Sequence, residues 1–265
     1  MVTLGGWYEG YVVDAGLGHG GYATVYLAHD AADPDRTVAL KILDDFHRDP
    51  AQIARLQREY DFAHQLDHAH IIRVYECGEG WLAMELVKGG TATKLQDLTD
   101  RLAALAQIAD ALDYAHRLGI VHCDVKPSNI LVSLPFSTRG AVLIDFGVAH
   151  AVAEDVGRRP THVEASLPYS APELLRGQAP SAATDEYALA CTTFELITGS
   201  PPFTATTSID LMDEQLHAPP PKLSRKVDRL THAFDSIMSK ALAKNPDNRY
   251  ESCSEFIALI TRALY

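Results

Sequence analysis

Apolar positions along this chain keep two rhythms. Up to about residue 90 they come in short runs rich in β-branched residues, Val38-Ala39-Leu40, Ile72-Arg73-Val74-Tyr75 and Trp81-Leu82-Ala83-Met84-Glu85, which predict strands. One helix interrupts them: Asp49 precedes Pro50 as N-cap and first helical residue, and Leu56, Glu59 and Ala63 follow at near-helical spacing. Leu102, Leu105, Ile108, Ala109, Leu112 and Ala115 then recur at three- and four-residue steps and predict a long amphipathic helix. Tyr187 to Ile197 is apolar nearly all round, the mark of a fully buried helix, with Gly199 as its stop. Ser252 and Glu255 form a capping-box pattern ahead of Phe256, Ile257, Leu259 and Ile260. Between these helices, Ile130-Leu131-Val132 and Val142-Leu143-Ile144 read as a buried hairpin.

Chemistry gathers at that hairpin. Residues 122 to 129 read His-Cys-Asp-Val-Lys-Pro-Ser-Asn, and Asp145-Phe146-Gly147 follows the second apolar run. A transferred phosphoryl group needs a carboxylate facing the acceptor hydroxyl and oxygen ligands facing a divalent ion. Asp124, Asn129 and Asp145 supply that set, and a hairpin would draw its ends together. Taken singly, Asp-Phe-Gly is a common strand exit and Ala171-Pro172-Glu173 a common helix start, so order along the chain decides the matter.

With Ala171-Pro172-Glu173, the stretch resembles the catalytic loop and activation segment of eukaryotic-type (Hanks-type) serine/threonine protein kinases, in their bacterial branch. The resemblance implies an α+β, bilobal fold, with a small β-rich N-lobe to about residue 86, a hinge over about 85–90 and a larger, mainly helical C-lobe over 91–265. A single domain would then occupy 1–265. It also implies that Asp124 orients the acceptor hydroxyl and takes its proton, that Lys126 steadies the γ-phosphate, and that Asn129 and Asp145 hold magnesium, with manganese as an alternative ion.

Further matches follow in order. Leu17, Gly18, Gly20, Gly21 and Val25 lie in a stretch resembling the glycine-rich loop over the phosphates, where Ala23 replaces the third glycine. Val38-Ala39-Leu40-Lys41 matches the strand whose lysine grips the α- and β-phosphates, and Glu59 is the carboxylate expected to pair with Lys41. By resemblance Met84 is the gatekeeper beside adenine, the backbone of Glu85 and Val87 binds the adenine edge, and Ala39 and Leu131 line the nucleotide. Asp185 matches the acid that braces the catalytic loop, and Arg249 the arginine that pairs with Glu173. Thr91 to Thr99 is shorter than the family's usual segment.

The implied activity is ATP-dependent phosphorylation of Ser/Thr hydroxyls in protein substrates, including the chain itself. Two rivals remain: a nucleotide-binding pseudokinase scaffold, which Ala23 and Cys123 permit, and a small-molecule kinase of related fold. Lys41, Glu59, Asp124, Asn129 and Asp145 are all present against the first, and Lys126, Ser166 and Ala171-Pro172-Glu173 speak against the second.

Composition narrows the partners. With 23 basic and 35 acidic residues the net charge is −12, which argues against nonspecific nucleic-acid or anionic-membrane binding. No apolar run approaches the roughly 18 residues of a membrane span, and the first residues lack a signal-peptide build. Cys77, Cys123, Cys191 and Cys253 are scattered with no C-x-x-C, which fits a reducing cytoplasm. His64, His68 and His70 are close enough to raise metal binding, though helix-end histidines are common. The physiological substrate, signal, oligomeric state and any longer parent chain stay open.

Cys123 is the departure of most consequence. The family usually places there an arginine that grips a phosphorylated activation-loop residue, a charge-assisted pair cysteine cannot make. Weak dependence on activation-loop phosphorylation is therefore expected. Thr161 is the one Ser or Thr between Asp145 and Ser166, and Arg158 and Arg159 could still engage a phosphate. Ser166 is expected to hydrogen-bond Asp124 and Lys126.

Overall fold

The short runs pair into a six-stranded antiparallel sheet of order β1-β2-β3-β4-β6-β5, seen in a computed structural model that describes residues 3–151, 164–224 and 230–265. Its strands are β1 (Trp7–Tyr8), β2 (Tyr11–His19), β3 (Ala23–Asp30), β4 (Thr37–Leu43), β5 (Val74–Gly78) and β6 (Trp81–Met84). The chain divides into two units. The first gathers the chain up to Asp67, Ile71–Lys88 and Asp145–Gly147; the second gathers His68–His70, Gly89–Ile144 and the chain from Val148 on.

Alternation sorts the faces of the first unit. Val38, Leu40 and Ile42 of β4 join Tyr11, Val13, Ala28, Trp81 and Ala83 in one buried cluster. Ala39 and Lys41 must then project from the opposite face. Helix α1 (Pro50–His64) starts as expected, with Asp49 accepting from the Ala51 and Gln52 N–H groups, and it buries Leu56, Glu59 and Ala63.

One strand is misplaced in the sequence reading. The run Ile72 to Tyr75 predicts a strand there, but β5 begins at Val74 and runs to Gly78. Ile71 and Ile72 are buried without joining the ladder, so their bulk fills core. β6 likewise stops at Met84, and the Glu85 N–H donates to Arg73 O at 2.8 Å.

The second unit is mainly helical. Its elements are α2 (Leu98–Arg117), the short strands β7 (Ile120–Val121), β8 (Ile130–Val132), β9 (Ala141–Leu143) and β10 (His150–Ala151), and helices α3 (Pro172–Leu175), α4 (Ala182–Thr198), α5 (Ser208–His217), α6 (His232–Ala241) and α7 (Cys253–Leu264). α2 buries all six predicted apolar positions. α4 is covered nearly all round and ends at Gly199, whose left-handed φ of 92° suits a residue without Cβ. β8 and β9 pair as the expected hairpin, Ile130 opposite Leu143.

The capping box of α7 forms only in half. Ser252 Oγ accepts the Glu255 N–H, but the Glu255 carboxylate reaches the Glu251 N–H instead. Asp113 of α2 takes the Cys253 and Ser254 N–H groups at 2.9 and 3.0 Å, so a neighbouring helix completes the cap.

Candidate active site

In the first unit, β4 and α1 bring opposite charges together. Lys41 Nζ donates to Glu59 Oε2 at 2.6 Å and lies 3.8 Å from Asp145 Oδ1. Burial alone would lower the Lys41 pKa, but the Asp145 and Glu59 carboxylates outweigh it and raise the value, so the ammonium form is held. Cross-strand pairing sets Lys41 opposite Val25, and Ala39 opposite Met84. Val25, Ala39, Lys41 and Met84 therefore share one sheet face.

The glycine-rich stretch forms the end of β2 and its turn into β3 in the same sheet. Gly18 pairs with Val25 in the β2–β3 ladder, and the Gly20 N–H donates to Ala23 O at 2.8 Å. At Gly18 and Gly21 an added Cβ would meet nothing within 4 Å among the described residues, and neither backbone is left-handed. No internal contact there demands glycine; what glycine keeps is clearance for a group approaching the backbone. Ala23 is buried in β3, so its methyl belongs to the packing of the strand. Leu17 is half-exposed, and Glu85 and Val87 are partly buried.

In the second unit, the loop after β7 carries Asp124, Lys126 and Asn129. Asp185, fully buried in α4, accepts the His122 N–H at 2.8 Å and the Cys123 N–H at 2.7 Å. Its other partner is His116 Nε2 at 2.8 Å. Burial would raise the Asp185 pKa; the His116 hydrogen bond and charge, with the N–H donors, hold it lowered. This grip bends the chain into a left-handed turn at Cys123, φ 66°, a conformation that costs a non-glycine residue about 1 kcal/mol or more. Asp145 in the first unit is left-handed too, at φ 68°. Strain of this kind concentrates at functional sites.

The turn delivers Asp124. Lys126 Nζ donates to its two oxygens at 3.1 and 2.8 Å and to Ser166 Oγ at 2.7 Å, while Ser166 Oγ donates to Asp124 Oδ1. Asn129 gives its Nδ2 hydrogens to Asp124 O and Oδ2, both at 2.9 Å, which leaves its amide oxygen as the donor for a cation. Asn129 Oδ1 and the Asp145 carboxylate are hard oxygen donors, the chemistry that magnesium takes. Leu131 sits in β8 opposite Val142. Thr161, Arg158 and Arg159 lie outside the described residues.

Glu173 and Arg249 meet as expected, in a buried two-point pair at 2.8 Å for each contact. The histidines have other work: His64 stacks on Tyr60, His68 stacks on Tyr114 and pairs with Asp110, and His70 Nδ1 contacts Ala141 O. Asp113, His116 and Cys253 approach within metal-ligand range, but the cap of α7 and the bond to Asp185 account for Asp113 and His116. Periodicity could not reveal His116 as a second support of Asp185, because the two lie 69 positions apart.

The model of the protein kinase domain family matches residues 11–258. Serine/threonine-protein kinase PknJ of Mycobacterium tuberculosis is 40% identical over 278 residues, covering 100% of this chain and 47% of PknJ. PknF of the same organism is 38% identical over 269 residues, 95% of this chain and 56% of PknF, and PknB is 36% identical over 264 residues, 93% and 41%. The PknI kinase domain of that organism, solved as a point mutant, superposes with a TM-score of 0.75 at 31% identity, covering 99% of each chain. The chain spans about half the length of the curated relatives it matches. It belongs to the protein kinase domain family, and its relatives here are bacterial serine/threonine-protein kinases.

Proposed function

We propose that this member of the protein kinase family transfers the γ-phosphoryl group of ATP to serine and threonine hydroxyls of proteins. The observation that carries the reading is the Ser166 hydroxyl held between Asp124 and Lys126, since a carboxylate and an ammonium converging on one hydroxyl are what an incoming acceptor requires.

Each residue then has a task. Asp124 orients the acceptor hydroxyl and takes its proton as the oxygen attacks. Lys126 keeps Asp124 aligned and offsets charge on the transferred group. Lys41, held as a cation by Glu59 and Asp145, binds phosphate oxygens, and the clearance at Gly18 and Gly21 admits them to backbone N–H groups. Leu17, Gly20, Val25, Ala39, Met84 and Leu131, with the backbone of Glu85 and Val87, enclose the nucleotide. Asn129 and Asp145 hold magnesium or manganese, which when bound neutralises phosphate charge. The four cysteines are free, which supports a reducing, cytoplasmic setting; among the described residues no helix is long and apolar enough to cross a membrane.

Radiolabel transfer from magnesium ATP tests the reading, wild type beside Asp124→Asn. Wild type should label itself or a general protein substrate, and the variant should lose at least about a hundredfold. No label from wild type would sink the proposal.

Cys123 refines it. Its backbone is fixed by Asp185 and its thiol lies 3.7 Å from Val121 O, so the loop after β7 is held with no arginine at this position. Activity should depend only weakly on activation-loop phosphorylation. Thr161→Ala is expected to keep transfer within about threefold of wild type; abolished transfer in a folded variant would refute this refinement.

A further inference from the structure

Ser166 rides on a short 3-10 turn, Glu164–Tyr169, and side chains from two helices hold that turn. Tyr169 donates its hydroxyl to Glu195 of α4. From α5, Gln215 donates through Nε2 to Leu167 O at 3.0 Å and to Pro168 O at 2.7 Å. Gln215 is 0% exposed, so water cannot replace those bonds.

Its orientation is forced from behind. Gln215 Oε1 accepts from the Tyr187 hydroxyl. Lys244 Nζ donates to that hydroxyl at 3.3 Å and to the main-chain oxygen of Gln215 at 2.7 Å. Burial pushes the Lys244 pKa down to about 8, a sign of how dry this chain of bonds is. An ammonium can only donate and a carbonyl can only accept, so every bond between Lys244 and the two turn carbonyls has one direction. A primary amide matches the end of that chain: one atom supplies two N–H groups and the other accepts the hydroxyl.

We infer that Gln215 is a positioning residue for the acceptor side of the reaction. By fixing the carbonyls of Leu167 and Pro168, it sets where Ser166 Oγ stands against Asp124 and Lys126, and so where an acceptor hydroxyl is held. The inference rests on the phosphotransfer reading above. None of these bonds involves Lys41, Glu59 or Asp145, so its influence falls on the acceptor and not on the nucleotide.

Gln215→Met keeps the volume and removes both donors. In steady-state transfer to a serine peptide, kcat/KM for the peptide should fall at least about tenfold, while KM for ATP stays within about twofold. Gln215→His, which keeps one donor, should recover part of the loss. In the same proteins, amide exchange at Ser170, whose N–H donates to Leu167 O at 3.2 Å, should quicken about tenfold. Tyr187→Phe, lacking only the hydroxyl that orients the amide, should shift both readouts less and in the same direction; it serves if Gln215→Met does not fold. Unchanged peptide kinetics, or equal losses for peptide and ATP, would overturn the inference. Wild type without any transfer would refute the phosphotransfer reading instead, and unchanged exchange at Ser170 would then overturn the role of Gln215 by itself.

Discussion

Two cation–carboxylate pairs, one in each unit, are built in opposite ways. Lys41 makes a single bond of 2.6 Å to Glu59 and stands 3.8 Å from a second carboxylate, Asp145, with the three side chains 19%, 5% and 23% exposed. Arg249 grips both oxygens of Glu173 with side chains 0% and 3% exposed, and gives further hydrogens to Ala183 O and Ala243 O. Thr184 Oγ1 donates to Glu173 Oε1 as well. A planar fork that spends four of its five hydrogens on carboxylate and carbonyls, and is shut off from solvent, is closed to a ligand. A point charge shared between two carboxylates and still reached by solvent can take a new anion without losing its old partner. The first pair therefore reads as chemistry, the second as scaffolding.

Lys41→Met is the largest test of that contrast. Transfer should fall about a thousandfold or more, roughly 4 kcal/mol of transition-state stabilisation, with the thermal midpoint nearly unchanged because Glu59 can take up a proton once its partner is gone. A collapse in stability would erase the distinction. Arg249→Met should do the reverse and destabilise the fold by roughly 3 kcal/mol in chemical denaturation, since it strands a buried carboxylate. Arg249→Lys should restore only part, because lysine cannot reproduce the fork; full restoration would show that charge alone matters at Glu173.

The smallest expected effect sharpens the second pair. Glu186, on α4 near the Arg249 end of that pair, is buried and has no partner for Oε2 among the described residues. Burial pushes its pKa up to about 8, against the Tyr250 N–H and the charge of Arg249. The folded protein keeps this proton to about pH 8 while the unfolded chain releases it near 4.3, so stability from this position falls as pH rises across that interval. Glu186→Gln keeps the oxygen that accepts the Tyr250 N–H and removes the titration. It should stabilise the protein more at pH 8 than at pH 5. Equal gains at both pH values would show that Glu186 is ionised throughout.

Much of the candidate site is legible in order and spacing. The strand carrying Lys41, the helix carrying Glu59, the loop from His122 to Asn129 and the contact of Arg249 with Glu173 stand where the residue pattern puts them. Patterns of period two and 3.6 report which face is buried, and short motifs report chemistry confined to a few residues. The misplaced strand at Ile72 shows the limit: apolar bulk says that a segment is buried, not which ladder it joins. Gln215 shows a sharper one. On a helix it reads as an ordinary polar residue, and only α5 lying against the turn at Leu167 makes its amide a buried support.

The sequence by itself determined the family, the candidate residues for phosphoryl transfer and the two-part alternation of sheet and helix, because those rest on local periodicity and on side-chain chemistry. Tertiary structure alone decided how those residues are held. Asp185 reaching back 62 positions to bend the chain at Cys123, Asp113 capping α7 from α2, and Gln215 fixing the turn beneath Ser166 all join segments far apart in the chain. Each is a buried polar group that must find a partner, and which partner lies within reach is settled only when the helices pack.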